Sequence, residues 1–454
     1  MTATDTVRLA AGATTAPARR TVSERGLLAL VLLGAAALAG LWWHDTTILT
    51  GTGEWLTAAG RVTGLLGGYT VAVVLLLMSR APWIDHGLGP DRLGRWHAMG
   101  GRYLLSLLVA HALLIIWGYS LTAHAGVLAE TRLLVVAVPD VLLASIGLGL
   151  FVVVGVVSAG AVRRRVTYET WYLLHLLTYV AVGLSFLHVL STGADFRSTA
   201  AKAAWIALYG GAAAALLWYR WLGPVRLALR HDFRVSAVEP EAPGVVTITV
   251  TGRDVDRLVV APGQFFRWRF LTSTGWWQSH PYSLSAMPAG NDLRLTVKDL
   301  GDHSRDVQAL LPGTRVLAEG PYGAFTPARR RGRGVLLLAG GIGITPLRTM
   351  LECLGSDVGP VTLLYRVNDE SEVIFGTELA QLAEADHVTL RYVVGPPGGD
   401  GDVLVGTRLS RAVPDLARRD AFVCGPPRFM DAAGAALLRC GMPGDHIHLE
   451  QFSF

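Results

Sequence analysis

Between Leu27 and Leu222 the chain carries six stretches of about twenty apolar residues, near Leu27–Trp43, Leu65–Ser79, Trp96–Tyr119, Val141–Val162, Trp171–Leu190 and Ala203–Leu222. Each is close to the length an α-helix needs to cross a hydrocarbon core of roughly 30 Å. In that solvent every backbone N–H and C=O must be satisfied internally, so a bundle of six helical spans is the fold that such a sequence permits. The chain is 51% hydrophobic and only 17% charged, too apolar for a soluble protein. The apolarity is uneven, because Arg226 to Phe454 has the charge, glycine and proline density of soluble domains.

Arginine placement orients the spans. Arg19, Arg20 and Arg25 precede the first, Arg80, Arg92 and Arg95 fill the second loop, and Arg163, Arg164 and Arg165 the fourth. The first, third and fifth loops carry fewer, Arg61, Arg132 and Arg197, each with acidic company, so both termini are expected in the cytoplasm of a multi-pass cell-membrane protein. The net charge of +5 follows from this topology and calls for no nucleic-acid partner. Residues Met1 to Val22 lack an apolar face and are expected to be disordered. "RGLLALVLLGAAALAG" could instead form a signal peptide, but the apolar run continues past it into "LWW". Cys353, Cys424 and Cys440 all fall in the cytoplasmic half, so no disulfide framework is implied.

Two spans carry paired histidines. "RWHAMGGRYLLSLLVAH" holds His97 and His111, and "HLLTYVAVGLSFLH" holds His175 and His188. Both spans run outward, so His97 lies level with His175 and His111 with His188. A polar side chain at such depth is expensive and reads as functional. Two pairs of imidazoles facing across a bundle are what two hexacoordinate haems need. A separation of fourteen residues falls about 40° short of whole turns, but one of thirteen falls about 140° short, so the fifth span needs a bulge, a bend or differently oriented haems. Spacing alone leaves open that these are buried histidines bonded to carbonyls. His44, His86 and His124 sit in loops or at span ends and are not expected to be ligands.

From Arg234 to Phe325, alternating stretches such as "VVTITV", "FFRWRF" and "LRLTV" suggest a small antiparallel barrel. Within it "HPYSLS" sets His280, Pro281, Tyr282, Ser283 and Ser285 on an extended strand, where the histidine and the hydroxyl-bearing residues can offer donors to a flavin and its phosphates. After Arg329 strands and helices alternate. "GVLLLAGGIGITPLRTML" is a buried strand, a glycine turn and a helix, with Gly341, Gly343, Thr345 and Pro346 in the turn. Glycines there let backbone approach a pyrophosphate, and the helix start adds amides and dipole. "VTLLYR" and "AFVCGPP" add strands to a nucleotide-binding sheet. Arg366, about twenty residues past the turn, is placed to meet a ribose 2′-phosphate, which favours NADPH while leaving NADH possible. A solvated charge paired with Asp369 or Glu370 is the alternative.

The histidine pattern, six spans and the order of the second half together resemble the ferric reductase and NADPH oxidase superfamily, over nearly all of the chain after about Arg25. That likeness implies an all-α six-helix transmembrane bundle binding two b-type haems over residues 26–223, an antiparallel β-barrel FAD domain over 230–327 and an α/β NAD(P)H-binding domain over 328–454. It is similar to the ferredoxin-reductase-like flavoproteins through "PGQF" at Pro262–Phe265, "VKDLGDHS" at Val297–Ser304 and "GPYG" at Gly320–Gly323. It implies that Lys298, Gly301 and Ser304 belong to the FAD site, the turn at Gly301 meeting the pyrophosphate. By the same likeness Cys424 and Gly425 lie beside the nicotinamide, and Phe452 of "HLEQFSF" stacks on the flavin, with Phe454 a competitor. Calcium-binding loops are lacking, so no calcium control is expected.

The implied activity is transmembrane electron transfer from cytoplasmic NAD(P)H through FAD and two haems to an extracytoplasmic acceptor. Ferric chelates are the preferred acceptor, with oxygen or another partner possible. A superoxide-producing NADPH oxidase is the first alternative, and a haem-free, membrane-tethered flavin reductase the second. The animal oxidases place a histidine one turn past the outer ligand of the third span. Here that position is Ile115.

Overall fold

The computed structural model describes residues 22–46, 49–196, 198–273, 275–399 and 401–451, and divides into two compact units that meet in sequence between Trp221 and Leu222. Among the described residues, six helices that lie in or begin in the first unit are long and apolar enough to cross a membrane. They are Glu24–Asp45, Thr52–Leu77, Pro90–Thr122, Val141–Ser158, Tyr168–Thr192 and a sixth that starts at Thr199 and stays helical to His231. Local chemistry starts them: the Ser23 and Ser198 hydroxyls accept from the N–H groups of Gly26 and Ala201, both at 3.1 Å, and Pro90 stands in the first turn of the third.

Three features differ from the sequence reading. The second span begins at Thr52 rather than Leu65, because Arg61, read as a loop charge, lies inside it. Arg61 is tolerated there because it forms an ion pair with the buried Asp195. The third loop contains a helix, Val127–Ala137, which carries Arg132. The fifth span is an unbroken α-helix, so no bulge brings its two histidines to their partners. Of the segment Met1 to Val22, expected to be disordered, Met1 to Thr21 lie outside the described residues, and Val22 donates its N–H to the Trp83 carbonyl at 3.1 Å.

The second and third spans are packed backbone to backbone. A Cβ on Gly53, Gly60, Gly64 or Gly67 would fall within 3.0 Å of Thr122, Ile115, His111 and Leu108 respectively. Small residues at this spacing allow helices to approach closely where lipid offers no hydrophobic drive.

The second unit begins with an antiparallel body of six strands: β1 Arg234–Ala242, β2 Val245–Thr251, β3 Phe265–Phe270, β4 His280–Ser283, β5 Asp292–Lys298 and β6 Val316–Tyr322. Two three-stranded sheets, β1-β2-β5 and β4-β3-β6, are joined by bridges at Leu284–Leu295 and Arg234–Arg315. Alternate residues, among them Phe266, Trp268, Ile248, Leu293 and Leu295, fill its core. A parallel sheet follows, built from β7 Val335–Gly340, β8 Val361–Val367, β9 Val388–Val394, β10 Asp420–Gly425 and β11 Ile447–Gln451 in the order β11-β10-β7-β8-β9. Its central strands are buried along their whole length, as a sheet covered on both faces requires. After β9 the chain crosses to the other side of β7, so the switch point lies between β7 and β10. A ligand of an open α/β sheet sits in the crevice there.

Candidate functional site

In the helical unit the four histidines come together as two pairs. The rings of His97 and His175 have centroids 5.8 Å apart, and those of His111 and His188 are 6.4 Å apart. An iron held between two imidazole nitrogens at about 2 Å each would keep the centroids roughly 6 Å apart.

The outer pair is oriented by its neighbours. His111 Nδ1 lies 2.8 Å from the Gly60 carbonyl, and His188 Nδ1 lies 2.8 Å from Thr192 Oγ1, whose hydroxyl also donates to the His188 carbonyl at 2.7 Å. Both contacts draw the ring proton to Nδ1 and leave Nε2 as the coordinating nitrogen. At the inner pair, His97 faces the Val74 carbonyl of the second span, as His111 faces that of Gly60, and the buried Nδ1 of His175 makes no hydrogen bond. Trp171 stacks on His175 at 5.0 Å, with the Arg163 guanidinium 4.8 Å from the same indole. The donor set and spacing therefore fit bis-imidazole haem at two levels.

In the second unit β4 carries His280, Pro281, Tyr282 and Ser283. Tyr282 is fixed through its carbonyl, which accepts from Trp268 Nε1 at 3.0 Å, and burial pushes its phenol above the ordinary range, so it stays a neutral donor. Ser285 differs: it is fully buried, and its hydroxyl accepts from Thr296 Oγ1 at 3.0 Å inside the strand body. Lys298 closes β5. Beyond it the Ser304 hydroxyl ties the turn, accepting from Leu300 N–H at 2.7 Å and donating to the Gly301 carbonyl at 2.8 Å, while Gly301 has φ 150° and open space beside it.

The glycine turn Gly341–Gly343 follows β7 at the switch point. Gly341 has φ 53° and faces open space, a conformation that favours glycine beside a phosphate. Gly343 is needed for the opposite reason, since its Cβ would lie 2.2 Å from the Cys424 carbonyl. Thr345 Oγ1 returns to the Ile342 carbonyl at 3.1 Å, and Pro346 follows it in the helix Ile344–Cys353. Cys424 and Gly425 thus form the far wall of the turn. The Cys424 thiol is fully buried, and burial, with Glu450 nearby, holds it well above the usual thiol range. It contributes packing beside the crevice and not a thiolate. Glu450 pairs with Cys424 across β11, and its carboxylate reaches within 3.9 Å of where a Gly323 Cβ would stand, so the two folds of this unit meet at that point. Phe452 and Phe454 lie outside the described residues.

Arg366 ends β8 opposite Gly340. Its expected acidic neighbours, Asp369 and Glu370, are not its partners. Asp402 is, at 3.8 Å, and both side chains are largely buried around a pocket that Val394, Gly395 and Pro396 also line.

A cluster that alternation could not reveal joins the strand body to the nucleotide sheet. Glu378 takes a bidentate bond from Arg294, 2.7 Å on each oxygen, and a third at 2.5 Å from Arg348 Nε. Both arginines also donate to the Ser285 carbonyl at 3.0 Å, and Glu352 accepts from Arg348 and from the Met287 N–H. Phe375, at φ 61°, lies under both guanidiniums, and its N–H donates to Glu241 of β1 at 3.0 Å. A left-handed aromatic costs on the order of 1–3 kcal/mol and persists only where its surroundings over-determine it. Burial works to raise the Glu378 pKa, but the two arginines outweigh it and hold the carboxyl below its ordinary value.

Its stabilisation is therefore complete above the unfolded-state pKa and is lost as pH falls through the depressed folded value. Glu378→Gln is expected to cost about 2 kcal/mol. That should lower the temperature of flavin release by about 4–8 °C near neutral pH, with the deficit closing in acid; a fluorescence melt checks it.

Residues 63–186 match the family described as "Ferric reductase like transmembrane component", 233–326 an FAD-binding domain and 337–434 an oxidoreductase NAD-binding domain. The chain is 36% identical over 208 residues to the ferredoxin reductase component of 3-ketosteroid-9-alpha-monooxygenase from Mycolicibacterium smegmatis, covering 43% of this chain and 57% of that protein. It is 32% identical over 201 residues to an NADPH oxidoreductase of Mycobacterium tuberculosis, covering 42% and 52%. The chain thus spans little more than half the length of these relatives. A solved FAD/NAD-binding domain of a nitric oxide dioxygenase from Vibrio cholerae aligns with 24% identity and TM-score 0.42, over 49% of this chain and 98% of that one. Three matched segments in this order, each laid on the fold described above, make the chain a ferric reductase-like transmembrane component fused to a ferredoxin reductase-like FAD- and NAD-binding module.

Proposed function

We propose that the protein passes electrons from a cytoplasmic nicotinamide nucleotide, through FAD and two b-type haems, to an acceptor across the cell membrane, with ferric chelates the preferred class. The observation that carries this reading is the pair of facing imidazole pairs in a unit of membrane-spanning helices, fused to a nucleotide module that such histidines would otherwise leave without purpose. Bound in that module, a flavin supplies the conversion the route needs, since nicotinamide gives electrons in pairs and haem iron takes them singly. His97 with His175, and His111 with His188, would hold the inner and outer haem.

The chain's own groups fit the remaining tasks. Gly341 opens backbone to a pyrophosphate, Gly343 brings the turn against Cys424 and Gly425 where nicotinamide would lie, and the Gly301–Ser304 turn would hold FAD. Phe452 remains the proposed cover of the flavin ring. Ile115 packs on Gly60 one turn past His111, so no protonatable side chain stands at that position, and this favours ferric chelates over oxygen. The test is a spectrum: purified protein should show bis-imidazole haem bands, two haems per flavin, reducible by NAD(P)H. Protein that carries flavin and no haem would instead establish the tethered flavin reductase.

For the nucleotide, Arg366 supports NADPH, and Asp402 beside it opposes a second negative charge. Arg366→Ala is expected to lower the NADPH to NADH ratio of kcat/KM about tenfold or more, and Asp402→Asn to raise it. Steady-state dye reduction with each nucleotide measures both.

A further inference from the structure

The strand body has a rim that its own packing leaves uncovered. Residues 271–279 join β3 to β4, and there Trp276 and Trp277 stand side by side, 60% and 47% exposed. Backbone bonds locate this tip: Leu271 N–H donates to the Arg315 carbonyl at 2.9 Å, Val316 N–H to Phe233 at 2.9 Å and Gly313 N–H to Val235 at 2.8 Å. The tip, the turn around Leu311–Arg315 and the end of the helix Gly223–His231 therefore share one rim. Leu311 is 73% exposed on that turn and Leu229 75% on that helix.

The helix is two-sided. Leu227 packs on the core of the strand body and His231 is buried, with Nδ1 2.6 Å from the Arg253 carbonyl. Val225 and Leu229, one turn apart, are both exposed, with Arg226 and Arg230 following each of them. Asp232, the acid nearest the helix end, lies 3.3 Å from Arg234 and 3.6 Å from Arg253, so the rim does not present it as a free negative charge. Adjacent tryptophans, bare leucines and flanking arginines are the chemistry of a surface that lies at the lipid headgroups. Lipid, rather than a further protein, is indicated by the chain itself: the helix Gly223–His231 follows directly in sequence on the sixth membrane helix, with only the π-helical turn Leu217–Leu222 between them, so Val225 and Leu229 lie within a few residues of a membrane span.

We propose that this rim is a membrane-docking surface, with Trp276 and Trp277 in the headgroup layer and Arg226 and Arg230 on anionic lipid. Its assignment to the cytoplasmic leaflet rests on the topology proposed above. The tip leads into His280 three residues after Trp277, but Arg267 clamps the intervening Ser279 with two bonds of 3.1 Å, so β4 is held from within the strand body whether or not the tip meets lipid.

The test uses the full chain in nanodiscs of phosphatidylcholine and phosphatidylglycerol containing a lipid with a photoreactive diazirine near its headgroup. After illumination, adducts are mapped by peptide. The expected result is labelling at the Leu311–Arg315 turn and the Trp276 tip as well as in the spans. Trp276→Ser with Trp277→Ser should cut labelling at the Leu311 turn at least fivefold, while flavin-dependent dye reduction by NAD(P)H stays unchanged. Adducts confined to the spans, or unchanged labelling of the Leu311 turn in the double variant, would each overturn the proposal. Labelling needs neither haem nor electron transfer, so its failure is distinct from failure of the haem reading.

Discussion

His111→Ala is expected to remove one haem of two and to stop electron delivery across the membrane while leaving flavin chemistry intact. His111 is the best-determined of the four imidazoles: Nδ1 is bound to the Gly60 carbonyl, and Gly64 leaves just enough room for the ring. Alanine removes a ligand outright, whereas loss of only a supporting bond around a metal ligand already costs about 10–100-fold. Reduction of an outside ferric chelate should therefore fall by more than about 100-fold. NAD(P)H-driven reduction of a soluble dye, which draws on the flavin alone, should change little. Haem-to-flavin ratio and chelate reduction by sealed vesicles are the measurements. Full haem content in the variant would end the ligand assignment.

The second large effect is expected at Gly343→Ala. Its added methyl carbon would lie 2.2 Å from the Cys424 carbonyl oxygen and 2.5 Å from its carbon, both backbone atoms of a central strand. A flexible side chain could step aside, but β10 is bonded on one side to β7 and on the other to β11, so relief requires moving the turn or the sheet. Either opens the crevice at the switch point. Loss of several kcal/mol of local stability and of nearly all NAD(P)H-dependent flavin reduction is expected, as for other overpacked core sites of about 1–3 kcal/mol or more. Haem bands obtained with dithionite should stay normal, because the helical unit is a separate compact body. Gly341→Ala meets open space and should cost less, chiefly through its positive φ. Rapid-mixing flavin reduction for both variants separates the two causes.

Much of this was legible because periodicity and spacing are local. Long apolar runs, the histidine pairs, alternating strands and the glycine turn each report a constraint written within about twenty residues. What escaped was tertiary. Arg61 lowered the apparent apolarity of the second span, and only Asp195, far along the chain, explains it. Arg294 looks like any outward residue of an alternating strand, yet it meets Glu378 and Phe375 of the other fold. The partner of Arg366 was sought nearby, at Asp369 and Glu370, and is instead Asp402, brought in by the parallel sheet. Ser285 sat in a motif whose alternation suggested an open face, but it is fully buried and its hydroxyl accepts from Thr296. β11 escaped because five residues, Ile447–Gln451, give too short a pattern, and what makes them a strand is their parallel pairing with β10.

The glycine seam between the second and third spans has a consequence for timing. Gly53 meets Thr122, Gly60 meets Ile115, Gly64 meets His111, Gly67 meets Leu108 and Val74 meets Gly100, so that advancing along one helix retreats along the other step for step. Two backbones interlocked in this way cannot slip by a fraction of a turn without collision. Electron hopping slows exponentially as the gap between carriers widens, so the proposed haems, each with one ligand on the third span, would run at an unsteady rate if that helix slid. The seam works as a ruler between the two helices: each glycine seats one side chain of the facing helix, so the height of the third span, and of His97 and His111 on it, is set against the second, and a bulkier residue at a glycine would shift it more than a change on an exposed face.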